Sequence, residues 1–150
     1  MAENYNAQIE STFEEIAQNI SLGVRSRGMR AANELRNASQ IVLRGQRSGS
    51  RYRVPGTSQY YTASAPGEPP AVRTGTFRNG WQPRQEITSG AGSEVSVRSY
   101  IENRTRTDNG HLLGAILEYG GGRIAPRPYK EKIQEQAMER IRQIYREPYM

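Results

Sequence analysis

The sequence contains no cysteine and a single histidine, His111. The first absence excludes disulfides, thiolate zinc sites and thiol nucleophiles together. The second excludes zinc centres that need two imidazoles. Lysine is nearly missing too: of 21 basic residues only Lys130 and Lys132 are lysine. Apolar residues make up 35% of the 150-residue chain, and mean hydropathy is -0.83. No apolar run approaches the roughly 18 residues of a membrane span. The opening Met-Ala-Glu-Asn has neither the basic start nor the apolar middle of a secretory signal. These features predict one soluble domain, 1–150, made in a cytoplasm. Its core is expected to be thin and to be completed against copies of itself or a partner.

What charge there is lies unevenly. Residues 1–22 carry Glu3, Glu10, Glu14 and Glu15 and no basic residue. Residues 25–53 carry Arg25, Arg27, Arg30, Arg36, Arg44, Arg47, Arg51 and Arg53 against Glu34 alone. Arginine makes rigid bidentate forks to carboxylate or phosphate, which suits fixed interfaces better than a solvated coat. An acidic protein surface and a nucleic acid both fit such a stretch.

The first 47 residues predict a long helix over about residues 4–44. Apolar positions Ile9, Phe13, Ile16, Ile20, Val24, Ala31, Leu35, Ala38 and Val42 recur at spacings of four and three, apart from the gap between Val24 and Ala31. An eleven-residue repeat (Ile9, Ile20, Ala31, Val42) matches a straight or slightly right-handed helix. Arg27 interrupts one series beside Gly28, so a kink or break is expected there. Unbroken, such a helix spans about 60 Å. Residues 48–80 follow as an extended arm and a loop. Tyr52, Val54, the Pro55-Gly56 turn and Tyr60-Tyr61-Thr62 read as a hairpin or an arm. Its tyrosines and arginines are the residues of protein interfaces, and also those that stack on bases.

Residues 81–150 begin with two alternating runs. Trp81, Pro83, Gln85 and Ile87 share one side of the first, and Val95, Val97 and Ile101 one side of the second. A turn at Ser89-Gly-Ala-Gly-Ser93 joins them into an antiparallel hairpin with one buried face, Pro83 marking an edge or bulge. A polar loop is expected over 102–110. Leu112, Leu113, Ile116 and Leu117 then give two helical turns, stopped at Gly120-Gly-Gly122. Pro128 opens a last helix over about 129–146, with Ile133, Ala137, Ile141 and Ile144 as its buried stripe. The whole predicts an α+β fold: long N-terminal helix, antiparallel hairpins, a short helix and a C-terminal helix packed on the sheet.

Catalytic templates find few of their parts. No Gly-x-x-x-x-Gly-Lys-Ser/Thr is present, and Gly120-Gly-Gly122 has no lysine for a phosphate loop. His111 beside Asn109-Gly110 reads as a turn residue. Glu118, set among apolar residues, reads as a salt-bridge partner for an arginine rather than a general acid. No enzyme, cofactor or metal is expected.

Two segments say more than their composition. Ser64 to Trp81 reads Ser-Ala-Pro-Gly-Glu-Pro-Pro-Ala-Val-Arg-Thr-Gly-Thr-Phe-Arg-Asn-Gly-Trp. Its prolines fix φ, and Gly67 and Gly75 permit positive φ, so a surface loop is the plain reading. Phe77 and Trp81 are four apart, and a short helical turn puts both on one apolar side. The second segment is Ala115-Ile-Leu-Glu-Tyr-Gly120, followed by Arg123 to Tyr129 ending in Ala-Pro-Arg-Pro-Tyr. Together, in order and spacing over roughly residues 30–145, they resemble the tail-component proteins of long-tailed bacteriophages, small neck or tail-completion proteins of the head–tail junction. Departures are the long acidic N-terminal helix, and Leu112-Leu-Gly-Ala where relatives often carry a tyrosine-proline pair.

The resemblance implies a structural virion protein forming a sixfold ring between the head connector and the tail terminator or tube. Genome DNA then passes through the lumen without sequence-specific binding. The tail terminator itself, and a sequence-independent nucleic-acid-binding module, are the alternatives. The interface expected from these readings comprises Arg53 and Tyr60 of the arm, Arg73, Thr74, Gly75, Phe77, Arg78 and Trp81 of the loop, and Glu118, Tyr119, Gly120, Pro126 and Pro128. Arg73 and Arg78 are expected to fork onto carboxylates, Glu118 being the candidate in the same or the next subunit.

Overall fold

The computed structural model describes residues 2–90 and 94–148, apart from the side chains of residues 2–9, 11 and 13. In chain order it comprises α1 (Ala2–Arg44), β1 (Arg51–Arg53), β2 (Tyr60–Thr62), α2 (Thr76–Asn79), β3 (Trp81–Ser89), β4 (Val95–Asn103), α3 (Leu113–Tyr119) and α4 (Lys130–Arg146). The fold is α+β. Two separate two-stranded antiparallel sheets, β1–β2 and β3–β4, accompany the helices.

α1 runs without the break expected at Arg27-Gly28. The reason lies in what packs there. A Cβ on Gly28 would clash with Ser99 Oγ and fall 3.0 Å from Gln85 Nε2, so glycine lets the hairpin β3–β4 approach the helix backbone. Gln85 Nε2 also donates to the Arg25 carbonyl at 2.8 Å. Arg27 is buried and donates to the carbonyls of Tyr145, in the last turn of α4, and Pro148, just beyond it. One turn on, the Arg30 fork meets both carboxylate oxygens of Glu147 at 2.6 and 2.8 Å. Residues that interrupt the apolar series are therefore the ones that dock the helix.

The expected stripe is realised in the second half of α1 only. Ala31, Ala32, Ala38, Ser39 and Leu43 are buried, with Leu35 and Val42 half-buried beside them. Small residues there let α1 lie close against α4, whose own stripe buries Ile133, Ala137 and Ile144 with Ile141 half-buried, as its spacing predicts. Ile16, Ile20 and Leu22 in the first half are exposed. Ile9 and Phe13 have side chains outside the described residues.

The hairpin pairs Trp81 with Asn103 and Ser89 with Val95, and its alternation puts Trp81, Pro83 and Gln85 toward the inside. Ala91, Gly92 and Ser93 of its expected turn lie outside the described residues. β4 continues through Asn103, so the predicted loop at 102–110 begins later than expected, and Arg106 bridges back to Leu112. β1 and β2 form a hairpin through the Pro55-Gly56 turn, where Gly56 takes φ 75.

Candidate interface at the central loop

The stretch between β2 and β3 contains a four-residue helix held from two sides, by α1 and by the end of β4. Gly75 enters it at φ 84, in the left-handed region where glycine bears no Cβ strain. The chain's carbonyls then meet donors from neighbouring elements. Gln40 Nε2 donates to Arg78 O at 2.6 Å, Arg36 Nε to Trp81 O at 3.1 Å, and Asn103 Nδ2 to Phe77 O at 2.7 Å. Orphan carbonyls at a helix end need such partners when water is excluded.

Phe77 and Trp81 fall on one side of this turn, as their spacing predicts, with ring centroids 5.6 Å apart. The structure adds Tyr129, 5.5 Å from Phe77 and 5.6 Å from Trp81, all three pairs edge-to-face. Each such pair is worth about 0.5–1.5 kcal/mol beyond its buried area. The Tyr129 hydroxyl donates to Gly114 O at 2.9 Å, and burial raises its pKa, with the nearby Glu118 charge adding to the rise. Gly114 sits so close that a Cβ would lie 2.8 Å from that hydroxyl. The Trp81 indole N–H has no acceptor among the described residues, so shape rather than hydrogen bonding seats that ring.

Upstream, the proline stretch is clasped at its base. Arg47 caps the end of α1, donating to Val42 O at 2.8 Å and to Pro70 O at 3.1 and 3.3 Å. Glu68 accepts from the Ser48 hydroxyl and from the amides of Ser48 at 3.1 Å and Ala65 at 2.8 Å. These donors, the Ser48 hydroxyl foremost, hold its carboxyl down at about 2. Neither Ser48 nor Glu68 stood out in the sequence. The signal was only a carboxylate set between prolines.

The second segment folds back onto the first. The Gly67 amide donates to Pro126 O at 3.1 Å, and Arg127 Nε donates to Ser64 Oγ at 2.8 Å. Gly120 takes φ 77 against Ile124 and Pro126, where a Cβ would come within 2.9 Å of a backbone oxygen. Glu118 corrects one expectation. Instead of an arginine of its own chain, its Oε2 accepts the amides of Tyr129 at 2.8 Å and Lys130 at 3.2 Å. A carboxylate at the start of α4 satisfies orphan amides and the helix dipole at once. α4 begins at Lys130 with Tyr129 as its N-cap, so Pro128 precedes the first turn instead of opening it. Tyr119 is largely exposed, with Lys130 Nζ 5.1 Å from its ring centroid.

Between the two segments opens a groove of about 690 Å³. Arg73, Thr74, Gly75, Phe77 and Arg78 line it, together with Leu43, Val72, Leu113 and Leu117. Arg106 and Arg127 join Arg73 and Arg78 there, and Asp108 is the one acid in the lining. Arg53 and Tyr60 stand opposite each other in β1–β2, outside that lining. Arg53 donates to the Thr57 carbonyl at 2.6 Å, and Tyr60 takes the Arg51 guanidinium on its ring at 4.9 Å. No group of three or more potential metal ligands occurs among the described residues. No family model, no curated protein and no solved structure matches this chain.

Proposed function

We propose that this chain is a non-enzymatic virion protein of the phage head–tail junction, a ring-forming neck or tail-completion adaptor between the head connector and the tail. One observation carries the reading. The two segments whose wording resembles that family lie some fifty residues apart in sequence, yet they are hydrogen-bonded to each other through Gly67–Pro126 and Ser64–Arg127. They share the Phe77–Trp81–Tyr129 cluster and one groove. Such a clasped loop is a rigid joint, low in the entropy lost when a partner binds.

The arginine-rich stretch also favours a protein partner over nucleic acid. Arg27, Arg30, Arg36 and Arg47 are committed to carbonyls or to Glu147 within the chain. That leaves few of them to track a phosphate backbone. Arg73 and Arg78 remain in the groove lining for a neighbour, with no ion pair among the described residues.

In a complementation assay, Arg73→Ala or Arg78→Glu should leave the protein folded and block the joining of heads to tails. Free filled heads and free tails then accumulate. Normal particle yield from both folded variants would remove the reading.

A further inference from the structure

The molecule carries two surfaces, one at each end of α1, that match each other and cannot meet within one chain. At its N-terminal end, Glu10, Glu14 and Glu15 are exposed, and Ile16, Ile20 and Leu22 are 40%, 44% and 61% exposed. Ile9, Phe13, Ile16 and Ile20 follow the spacing of a helix that lays one apolar edge into a groove. No basic residue occurs before Arg25, so this edge is flanked by negative charge alone.

At its C-terminal end, α1 contributes Leu43 to a groove whose apolar lining includes Val72, Phe77 and Leu117. Four guanidiniums, from Arg73, Arg78, Arg106 and Arg127, surround that lining. None of the four makes an ion pair among the described residues. Apolar meets apolar here, and acidic meets basic. Ile20 and Leu43 are nevertheless separated by about 35 Å along a continuous helix, at the usual rise per residue. A straight helix cannot fold its own start into a groove at its own end.

We infer that the acidic N-terminal half of α1 of one copy docks in the arginine-lined groove of a second copy. The two surfaces differ, so the contact is head-to-tail and each docked copy presents a fresh groove or a fresh helix. Such a contact closes into a ring if the rotation per copy allows, and otherwise extends as a filament. It rests on the adaptor reading only for the expectation that the ring closes. The pairing itself follows from charge and geometry.

The test is a charge exchange followed by light scattering on the full-length protein. Glu10→Lys/Glu14→Lys reverses the helix, and Arg73→Glu/Arg78→Glu reverses the groove. Each variant alone should lose the oligomer while keeping the wild-type circular dichroism spectrum. Mixed in equal amounts they should reassemble, because each then offers the surface the other needs. A wild type that stays monomeric, or variants that assemble singly as the wild type does, would overturn the docking. So would wild-type protein that binds duplex DNA through these arginines without changing mass. Oligomers that ignore both reversals, while Arg73→Glu/Arg78→Glu still blocks head–tail joining, would sink the docking and leave the adaptor reading standing. Reassembly of the mixture, beside normal joining by Arg73→Glu/Arg78→Glu alone, would do the opposite.

Discussion

Leu43 and Leu22 sit on one continuous helix, yet Leu43 is 1% exposed and Leu22 61%. The half of α1 around Leu43 has α4, the β3–β4 hairpin and the clasped loop packed on it. From Glu10 to Ile20 every residue whose side chain is described is exposed. Composition separates the halves as well. The packed half pairs alanines and a glycine with arginines that reach across to carbonyls, whereas the exposed half has larger aliphatics and carboxylates. Periodicity marks a face that can be buried. Which part is buried by its own chain depends on what packs against small residues: Gly28 and Ala32 are buried, whereas Ala17 in the N-terminal half is exposed. Its apolar edge stays exposed in the single chain, and burying each large aliphatic there would stabilise the proposed docking by about 1.5–3 kcal/mol.

Truncating the same residue type at the two ends gives the largest contrast. Leu43→Ala should cost about 2–5 kcal/mol, because it opens a cavity in a fully packed site. Leu22→Ala in dilute, dissociated protein should stay within about 0.5 kcal/mol of the wild type. Denaturant unfolding of both variants reads the difference directly. Equal losses at the two positions would erase the distinction between the halves.

A smaller effect is expected at the start of α4. Glu118→Gln keeps the side-chain shape and removes the charge that faces the amides of Tyr129 and Lys130. The loss should be about 1–2 kcal/mol, the scale of an N-terminal cap. Glu118→Ala should cost at least as much. Urea midpoints for the two variants test whether this carboxylate acts within its own chain.

The smallest expected effect concerns acid. The Glu68 carboxyl is held at about 2, below its ordinary 4.5, by the Ser48 hydroxyl and the amides of Ala65 and Ser48. A depressed folded value means that this stabilisation is fully present above pH 4.5 and is lost as pH falls toward 2. Glu102 and Glu147 are also lowered, chiefly by their arginine hydrogen bonds to Arg104 and Arg30, and act in the same direction. Glu68→Gln should flatten part of the stability loss in that window and leave the remainder. Unfolding midpoints measured across it show how much the clasp contributes.

How far the sequence discloses all this varies by element. The alternation from Trp81 to Gln85 and the stripe of α4 are local patterns that form where the spacing puts them, whereas Ile87, expected on the same buried side, is exposed. The Phe77–Trp81 pair is legible for the same reason. Tyr129 completes that cluster from fifty residues away, and nothing local marks it as the third ring. Arg27 and Gly28 read as a break because a charge and a glycine usually interrupt a helix. Their partners, the Tyr145 carbonyl and Ser99, are supplied by distant parts of the chain. Glu118 likewise has many arginines to choose from in sequence, and backbone amides are invisible there.

The most direct test compares hydrogen exchange in the two halves of α1, in dilute and in assembled protein. Amides of residues 27–43 should exchange slowly in both. Amides of residues 10–24 should exchange quickly in the dilute protein and become protected on assembly, together with the groove around Arg73 to Arg78. Protection of both halves in the isolated chain, or an assembled state in which residues 10–24 still exchange quickly, would contradict a helix built to be completed by its neighbour.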